Sequence, residues 1–273
     1  MWSVTTGEGH DIVFLHGWTM DHRDEMRTYE PIFAGKPGWR RHYVDLPGMG
    51  RSPARPEIAC MDDMLDAVIA FIRATVADRR FLIAGTSAGG YLARGVLARL
   101  GDQVDGVVLR APLIIPRDDA RDVDPVRPVR LDAKVMATVP PSEREGLGDV
   151  LVQTVAYVTA LRAKMRDAVD PAVALADEAF LTPIRQDPSR YAFSFDLDAV
   201  MTPFPGPSLI VTGRHDGSVG YRDAWRVVDK FPRATFAVLD RAEHGLPIDQ
   251  QSLFTALVEE WLDRVTEFRR SSV

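Results

Sequence analysis

Short runs of apolar, β-prone residues alternate with amphipathic segments along most of the chain. The runs are DIVFLH, WRRHYVDLP, RFLIAGTS, VDGVVLRAP, PSLIVTG and ATFAVLD, and turn-forming residues flank most of them. Between several of them, apolar residues recur at intervals of three and four, as they do from Met61 to Val76 and from Leu253 to Val265. That spacing indicates helices with one buried face. Strands that alternate with helices predict an α/β fold with a doubly wound, mostly parallel sheet.

The alternation stops between about Pro112 and Pro205, where no strand-like run appears. The sequence there is first rich in Arg, Asp and Pro, which predicts an irregular loop, and then apolar and helix-favouring, as in DVLVQTVAYVTALRAKM. We therefore predict a core domain in two parts, residues 1–114 and 204–273, with a helical insert over residues 115–203.

Composition and charge exclude several classes of partner. The 273 residues carry a net charge of −6 without clustered basic segments, so nucleic acid is not an expected partner. No apolar stretch approaches the roughly 18 residues of a membrane helix, and no signal peptide is recognisable, so we expect a soluble, cytoplasmic protein without a membrane partner. The lone cysteine, Cys60, excludes an internal disulfide and a thiolate metal cluster. The oligomeric state stays open, a homodimer included.

The segment FLIAGTSAGGYLA runs from a strand-like stretch into a group of small residues. Within it, GTSAG fits the pattern G-x-S-x-G, and the helix-like YLARGVLARL follows at once. In that context the pattern predicts a sharp turn that exposes Ser87, with Gly85 and Gly89 on either side because side chains there would clash. Ser87 is therefore the predicted nucleophile. The alternative is a glycine-rich helix entry that binds an anion.

A serine nucleophile needs a general base, usually a histidine that a carboxylate orients. His244 follows the last strand-like run and precedes the terminal helix, so we expect it on a loop at the C-terminal end of a strand. Asp216 follows PSLIVTG and lies between Ser87 and His244 in the chain, which gives a known triad order. The alternative for Asp216 is an ordinary turn aspartate.

The other histidines are weaker candidates for the base. We expect His10 in a turn, His22 in a charged loop, His42 as a structural residue of a strand, and His215 in a loop. Among other acids, Asp240 is weaker because it lies in or beside a strand-like run, and the loop Arg110-Ala111-Pro112 contains no acid at all.

Acyl transfer also needs donors for the oxyanion, which are commonly two backbone amides. Ala88 directly follows the predicted nucleophile, and Trp18 lies in FLHGWTMD after an early strand-like run. We expect the N–H groups of these two residues to be the donors. The Trp18 indole either forms the floor of the acyl pocket or is an ordinary buried aromatic residue, and the two roles are compatible.

The segments LHGW, DLPGMGRS, GTSAGG, TGRHD and EHG, in this order and spacing, resemble the α/β-hydrolase superfamily in its capped branch of esterases and C–C hydrolases. The resemblance covers nearly the whole chain, and the predicted insert corresponds to the cap domain. It implies a scaffold role for DLPGMGRS. It also implies that Ser87 is the nucleophile, His244 the base and Asp216 the orienting acid. Trp18 and Ala88 would then be the oxyanion donors, and His16 and Gly17 would be structural.

Two features depart from the family pattern. Glu243 stands before the predicted base, where relatives usually have a small residue, and its carboxylate either perturbs the imidazole or points into solvent. Gly245 follows the base where meta-cleavage C–C hydrolases commonly have an aromatic residue, and WTMD replaces their Gly-Pro-rich loop. Both of these latter differences count against the C–C branch.

We therefore expect a serine hydrolase that cleaves a small-molecule carboxylic ester, lactone or thioester through an acyl-enzyme, with no metal and no organic cofactor. The alternatives are a C–C bond hydrolase, a hydroxynitrile-lyase-type lyase that uses the same triad, and a ligand-binding protein with a slow triad. The insert is expected to determine the substrate. Some of its apolar residues either line the acyl pocket or pack the insert itself: Leu151, Val155, Tyr157 and Val158. Its early arginines either meet an acidic substrate or belong to a solvated loop: Arg117, Arg121, Arg127 and Arg130.

Overall fold

The computed structural model describes residues 1–271, whose strands form one sheet. The strands are β1 (Ser3–Thr6), β2 (Gly9–Leu15), β3 (Gly38–Val44), β4 (Phe81–Thr86), β5 (Val104–Arg110), β6 (Ser208–Gly213) and β7 (Ala234–Leu239). They lie in the order β1-β3-β2-β4-β5-β6-β7, with β1 antiparallel to β3 and every other pair parallel. The predicted α/β fold with a mostly parallel sheet is confirmed. The sequence pattern missed β1, a short edge strand of mixed polarity.

From β2 onwards, helices separate consecutive strands of the chain, and six of them lie between β5 and β6. They are α1 (His22–Phe33), α2 (Met61–Thr75), α3 (Ala88–Leu100), α4 (Ala133–Ala137), α5 (Pro141–Leu147), α6 (Val155–Lys164), α7 (Asp170–Val173), α8 (Glu178–Gln186), α9 (Leu197–Val200), α10 (Tyr221–Arg226) and α11 (Gln251–Ser271). A π-helical turn spans Met165–Val169, and 3-10 turns span Gly101–Gln103, Asp118–Ala120 and Val228–Lys230. The units β2-α1-β3 and β4-α3-β5 cross the sheet in opposite directions, so right-handed crossovers place α1 and α3 on opposite faces.

The helical stripes expected from the sequence face the core. In α2 the buried members include Met61, Leu65 and Val68, and in α11 they include Val258 and Trp261. Strands β4 and β5 are buried along their whole length, as central strands covered on both faces should be. Burying each large apolar side chain contributes about 1.5–3 kcal/mol, so these faces fix the helices on the sheet.

The chain between β5 and β6 carries helices α4 to α9 and adds no strand to the sheet among the described residues. An isolated β-bridge joins Arg130 and Val152. Leu151, Tyr157 and Val158 pack in a small apolar cluster within this segment, apart from the main core. The later part, from α8 to α9, packs instead on the main core. The division into residues 1–114, 115–203 and 204–273 stays a prediction.

Two histidines lie elsewhere than the sequence suggested. His10 is part of β2 rather than a turn, and it pairs with Asp105. His22 is the first residue of α1 rather than part of a loop, because the Asp21 carboxylate accepts a hydrogen bond from the Arg23 amide and caps the helix.

No helix within residues 1–271 combines the length and the apolar character that crossing a bilayer requires.

Candidate active site

Ser87 occupies a strained turn between β4 and α3. Its φ and ψ angles are 54° and −120°, in a region that residues with a Cβ rarely adopt. The turn is held by its neighbours, since the Ser87 amide donates to the carbonyl of Arg110 at 3.1 Å and the Ser87 carbonyl accepts from Gly90 at 2.9 Å. Strain of this kind costs about 1–3 kcal/mol and is typically found at functional sites.

Close backbone contacts give the physical reason for glycine on both sides of Ser87. A Cβ on Gly85 would lie 2.3 Å from the carbonyl oxygen of Gly89, and a Cβ on Gly89 would lie 2.2 Å from that of Leu15. Neither oxygen can move away without shifting a buried strand or helix. The two glycines therefore allow α3 to begin directly against the sheet.

We expect Gly89→Ala to lower the free energy of unfolding by about 3 kcal/mol, the upper end of the usual cost of overpacking, because the methyl group would overlap the main chain of β2. Urea denaturation of the purified variant measures this loss. Gly101→Ala is the matched control, since Gly101 has a φ of −53° and open space around its Cβ position. Equal stability of the two variants would contradict the tight packing described for the turn.

Ser87, His244 and Asp216 lie in one hydrogen-bonded row. The His244 Nε2 atom is 3.0 Å from the Ser87 Oγ atom, and its Nδ1 atom is 2.9 Å from the Asp216 Oδ2 atom. A carboxylate can only accept, so Nδ1 carries the proton towards Asp216 and Nε2 is left to accept the serine hydroxyl. The three side chains predicted from separate loops are brought together in the geometry of a nucleophile, a base and an orienting acid.

The environment of Asp216 favours its charged form. Burial alone would raise its pKa, but the adjacent His244 and the amides of Ser218 and Val219, which donate to Oδ1 at 2.8 and 3.0 Å, outweigh burial. The pKa of Asp216 is therefore held below its ordinary value. Asp216 is an anion at neutral pH, fixed in the orientation that His244 needs.

The two residues predicted as oxyanion donors, Ala88 and Trp18, both lie close to Ser87. Ala88 is the first residue of α3, so its N–H group has no carbonyl partner within the helix. Gly17 lies against Ser87, with its Cβ position 3.3 Å from the Ser87 Cβ atom, and Trp18 follows it in the wall of the same cavity. The Trp18 ring packs edge-on against the Tyr191 ring, with the two ring centres 5.1 Å apart. The role of Trp18 and Ala88 as oxyanion donors stays a prediction.

A buried group of charges in the cavity wall was not anticipated from the sequence. Arg110, expected in a loop, is the last residue of β5, because its backbone continues the pairing with β6 at Val211. Its Nη2 atom lies 2.6 Å from a carboxylate oxygen of Asp24 and 2.8 Å from one of Glu25, both on α1. Lys164, at the end of α6, lies 2.7 Å from the other oxygen of Asp24.

This group also holds the loop that carries the histidine. Lys164 donates to the carbonyl of Gly245 at 2.8 Å, and Arg110 donates to the carbonyl of Leu246 at 2.5 Å. These are the two residues that follow His244 in the chain. The buried cations therefore fix the main chain next to His244, and one of the two cations comes from the segment between β5 and β6.

The Glu243 carboxylate is partly buried and is bound by α6 instead of pointing freely into solvent. Its Oε1 atom accepts a hydrogen bond from the Tyr157 hydroxyl at 3.0 Å, which ties the histidine loop to α6. Burial raises the pKa of Glu243, although the bond from Tyr157 and the proximity of His244 partly oppose that rise. The sequence marked this position as unusual, because relatives usually have a small residue there. It gave no indication that Tyr157 is the hydrogen-bond partner of Glu243.

We expect Glu243→Gln to be more stable than the parent protein at pH 7. Folding raises the pKa of Glu243, so the folded protein binds the carboxyl proton more tightly than the unfolded chain does. The free energy of unfolding of the parent protein therefore falls as the pH rises from about 4.5 through the raised pKa. Glutamine keeps the acceptor for Tyr157 and removes the buried charge. Thermal melts between pH 4 and 8 measure the difference, which should vanish at the acid end. Glu267→Gln, on the exposed side of α11, is the control, and a less stable Glu243→Gln protein at pH 7 would contradict this account.

The loop DLPGMGRS braces the site through main-chain bonds. Asp45 accepts hydrogen bonds from the amides of His22 and Arg51, both at 2.8 Å, and the Ser52 hydroxyl donates to the Asp45 carbonyl. His16 accepts from the Leu46 amide at 3.0 Å. Asp21, His22 and Asp45 present ligand atoms within 4.8 Å of one another, but these same atoms serve the brace and the cap of α1.

A cavity of about 470 Å³ opens over the row of three side chains. Ser87 and His244 lie in its wall together with Trp18, and the segment between β5 and β6 supplies much of the rest. Leu151, Val155, Tyr157 and Val158 are absent from the residues that line it; three of them pack within the insert and Val155 is 70% exposed. Arg121 lines the cavity, whereas Arg117 is exposed and pairs with Asp119.

Comparison with known proteins agrees with this architecture. A family model described as alpha/beta hydrolase fold matches residues 12–251. Among curated proteins, a pimeloyl-(acyl-carrier protein) methyl ester esterase of Shewanella woodyi is 25% identical over 265 residues, which cover 94% of this chain and 96% of the relative. An alpha/beta superfamily hydrolase from Oenococcus oeni PSU-1 has a TM-score of 0.81 at 25% identity, covering 97% of this chain and 96% of that one. A thermophilic esterase from Thermogutta terrifontis shares the fold, with a TM-score of 0.65 at 21% identity over 97% and 93% of the two chains.

Proposed function

We infer that this chain, which belongs to the alpha/beta hydrolase fold family, is a serine esterase that cleaves a small-molecule carboxylic ester with Ser87, His244 and Asp216. The single observation that carries the proposal is the hydrogen-bonded row of these three side chains in the wall of one cavity. The relative from Shewanella woodyi, whose name describes a methyl ester esterase, supports ester cleavage as the reaction.

In the first half of the proposed reaction, the Ser87 Oγ atom attacks the ester carbonyl carbon while His244 Nε2 takes the hydroxyl proton. The imidazolium that forms is stabilised by the Asp216 carboxylate, which its two backbone donors keep in place. Collapse of the tetrahedral intermediate breaks the bond to the alcohol oxygen. His244 returns its proton to that oxygen, and the acyl group stays on Ser87.

In the second half, His244 removes a proton from water as the water oxygen attacks the acyl carbon. Collapse of this second tetrahedral intermediate breaks the bond to Ser87 Oγ, which takes the proton back from His244, and the carboxylic acid leaves. Both tetrahedral intermediates place a negative oxygen next to Ser87. The N–H groups of Ala88 and Trp18 donate to it in this proposal, and because α3 begins at Ala88, the helix dipole adds favourable potential.

Hydrolysis of p-nitrophenyl butyrate by the purified protein tests this function. We expect catalytic release of p-nitrophenol, with a rapid first phase that matches the enzyme concentration if deacylation is slower than acylation. A protein that reacts with a fluorophosphonate probe but turns over no ester would favour a ligand-binding role. Ester turnover without any covalent intermediate would instead indicate direct attack by water that His244 activates, against the acyl-enzyme proposed here.

A further inference from the structure

The cavity above Ser87 is lined by more positive than negative side chains, although the chain as a whole carries a net charge of −6. Apart from the histidine, its charged lining residues are four cations and two carboxylates, namely Arg110, Arg121, Lys164 and Arg185 with Asp24 and Asp118. This local excess runs against the overall balance of the protein. It identifies the cavity as a place where an anion would be attracted.

The inner half of that lining is balanced. Arg110 and Lys164 share Asp24, and Arg110 also contacts Glu25, which lies just behind the wall. Two cations thus face two carboxylates, all of them buried. The positive excess therefore belongs to the outer half of the cavity.

At the outer end, two guanidinium groups share one carboxylate. Arg121 Nη1 lies 2.6 Å from Asp118 Oδ1, and Arg185 Nη2 lies 2.9 and 2.8 Å from the two oxygens of Asp118. The Asp118 side chain is 58% exposed, while that of Arg121 is only 8% exposed. One positive charge is left without a matching carboxylate at this end.

The two arginines are held in place rather than free to swing into solvent. Arg121 donates to the carbonyls of Ile115 at 2.8 Å and Pro116 at 2.7 Å, which fix its guanidinium without neutralising it. Arg185 stacks on the ring of Tyr191, with its guanidinium carbon 4.6 Å from the ring centre. Among residues 1–271, only the Nη2 atom of Arg185 has a hydrogen-bond acceptor, so its Nε and Nη1 groups remain available to a ligand.

A row of contacts links this end to the nucleophile. The Arg185 guanidinium packs on Tyr191, Tyr191 packs on Trp18, and Trp18 follows the glycine that touches Ser87. Along this row, the rings of Tyr191 and Trp18 therefore separate the Arg185 guanidinium from Ser87. Apolar side chains line the same cavity, including Met20, Leu113, Val123, Val169 and Val219.

We propose that Arg185 and Arg121 form an anion-binding end of the catalytic cavity, so that the preferred substrates are esters with a free carboxylate remote from the scissile bond, such as half-esters of dicarboxylic acids. The proposal rests on the esterase function above and assigns its substrate class. The ester carbonyl reaches Ser87, an apolar chain follows the aromatic wall, and the carboxylate receives paired N–H donors from a guanidinium.

Matched esters test this directly. The monomethyl esters of five- to eight-carbon dicarboxylic acids are compared with the corresponding dimethyl esters and with methyl esters of monocarboxylic acids, and acid release is followed in a pH-stat. We expect kcat/KM for the best half-ester to exceed that of its neutral analogues by about tenfold, with the preference shrinking as salt rises to 0.5 M, an ionic strength at which exposed charges are screened. Arg185→Gln should reduce this preference to below about threefold, mainly through KM.

Two further variants complete the test. Asp118→Asn removes the carboxylate that competes for both guanidiniums, so it should lower KM for the half-ester and not for the dimethyl ester. Arg117→Gln, an exposed arginine of the same segment that pairs with Asp119, should leave the preference as it was. Ester turnover that depends on Ser87 but shows no preference for the half-ester would overturn this proposal and leave the esterase function standing. Absence of all ester turnover would overturn both.

Discussion

Ser87→Ala is expected to reduce kcat for p-nitrophenyl butyrate by roughly 10⁴-fold or more, because no other described group lies at the position of the nucleophile. The substitution removes one oxygen from a turn that the backbone already holds, so thermal stability should change little. Steady-state kinetics and a thermal melt on the same preparation measure both effects. Ser252→Ala, on an exposed turn of α11, is the control and should behave as the parent protein does.

The row of three side chains also predicts how substitutions combine. His244→Ala should lower kcat about as far as Ser87→Ala, since a serine hydroxyl without its base is a poor nucleophile. The double variant should be no slower than either single variant, because the two groups act as one unit. Losses that multiply in the double variant would show that Ser87 and His244 act independently, against the geometry described.

The second large effect is expected from the buried charges. Asp24→Ala should lower the free energy of unfolding by about 3–5 kcal/mol, because it leaves Arg110 and Lys164 buried without a shared carboxylate. Chemical denaturation with intrinsic fluorescence measures the loss. Asp119→Ala breaks an ion pair with Arg117 on the surface and should leave stability within experimental error.

The buried charges of Asp24, Arg110 and Lys164 are also expected to link the stability of the protein to its catalytic rate. Lys164→Met removes the donor to the Gly245 carbonyl and keeps the ion pair between Asp24 and Arg110. We expect it to be less destabilising than Asp24→Ala and yet to lower kcat, because the main chain beside His244 loses one of its fixed contacts. A Lys164→Met protein with unchanged kcat would show that Arg110 alone is sufficient to hold the loop.

The sequence predicted what local patterns encode. The turn at Ser87 follows from a five-residue pattern in a strand-to-helix context, and its glycines have contacts in the structure that explain them. Asp216 and His244 were found because each follows a recognisable strand, and parallel strands end at the same edge of a sheet. The site residues that the sequence identified are therefore those that follow a strand, because a strand and its end can be recognised from local sequence.

The contacts missed by sequence reasoning join distant parts of the chain. Arg110 looked like a loop residue because the carboxylates that neutralise it lie 85 and 86 positions earlier, on α1. Arg121 was weighed as a member of a solvated loop, yet its guanidinium also donates to the carbonyl of Ser218, 97 positions later, and it lies in the cavity wall. Tyr157 reaches Glu243 across 86 positions. No pattern in the sequence marks such partners, because they meet only when α1 and the segment between β5 and β6 pack against the sheet.

The central claim, that Ser87 is the residue acylated during turnover, is tested most directly by covalent labelling and peptide mapping. The protein is treated with a fluorophosphonate, digested with trypsin and analysed by fragmentation of the peptide FLIAGTSAGGYLAR, in which Ser87 is the only serine. We expect one adduct per chain, located on Ser87, with loss of ester hydrolysis in proportion to labelling and no adduct in Ser87→Ala. An adduct on another residue, or full hydrolysis by a protein labelled on Ser87, would contradict the account.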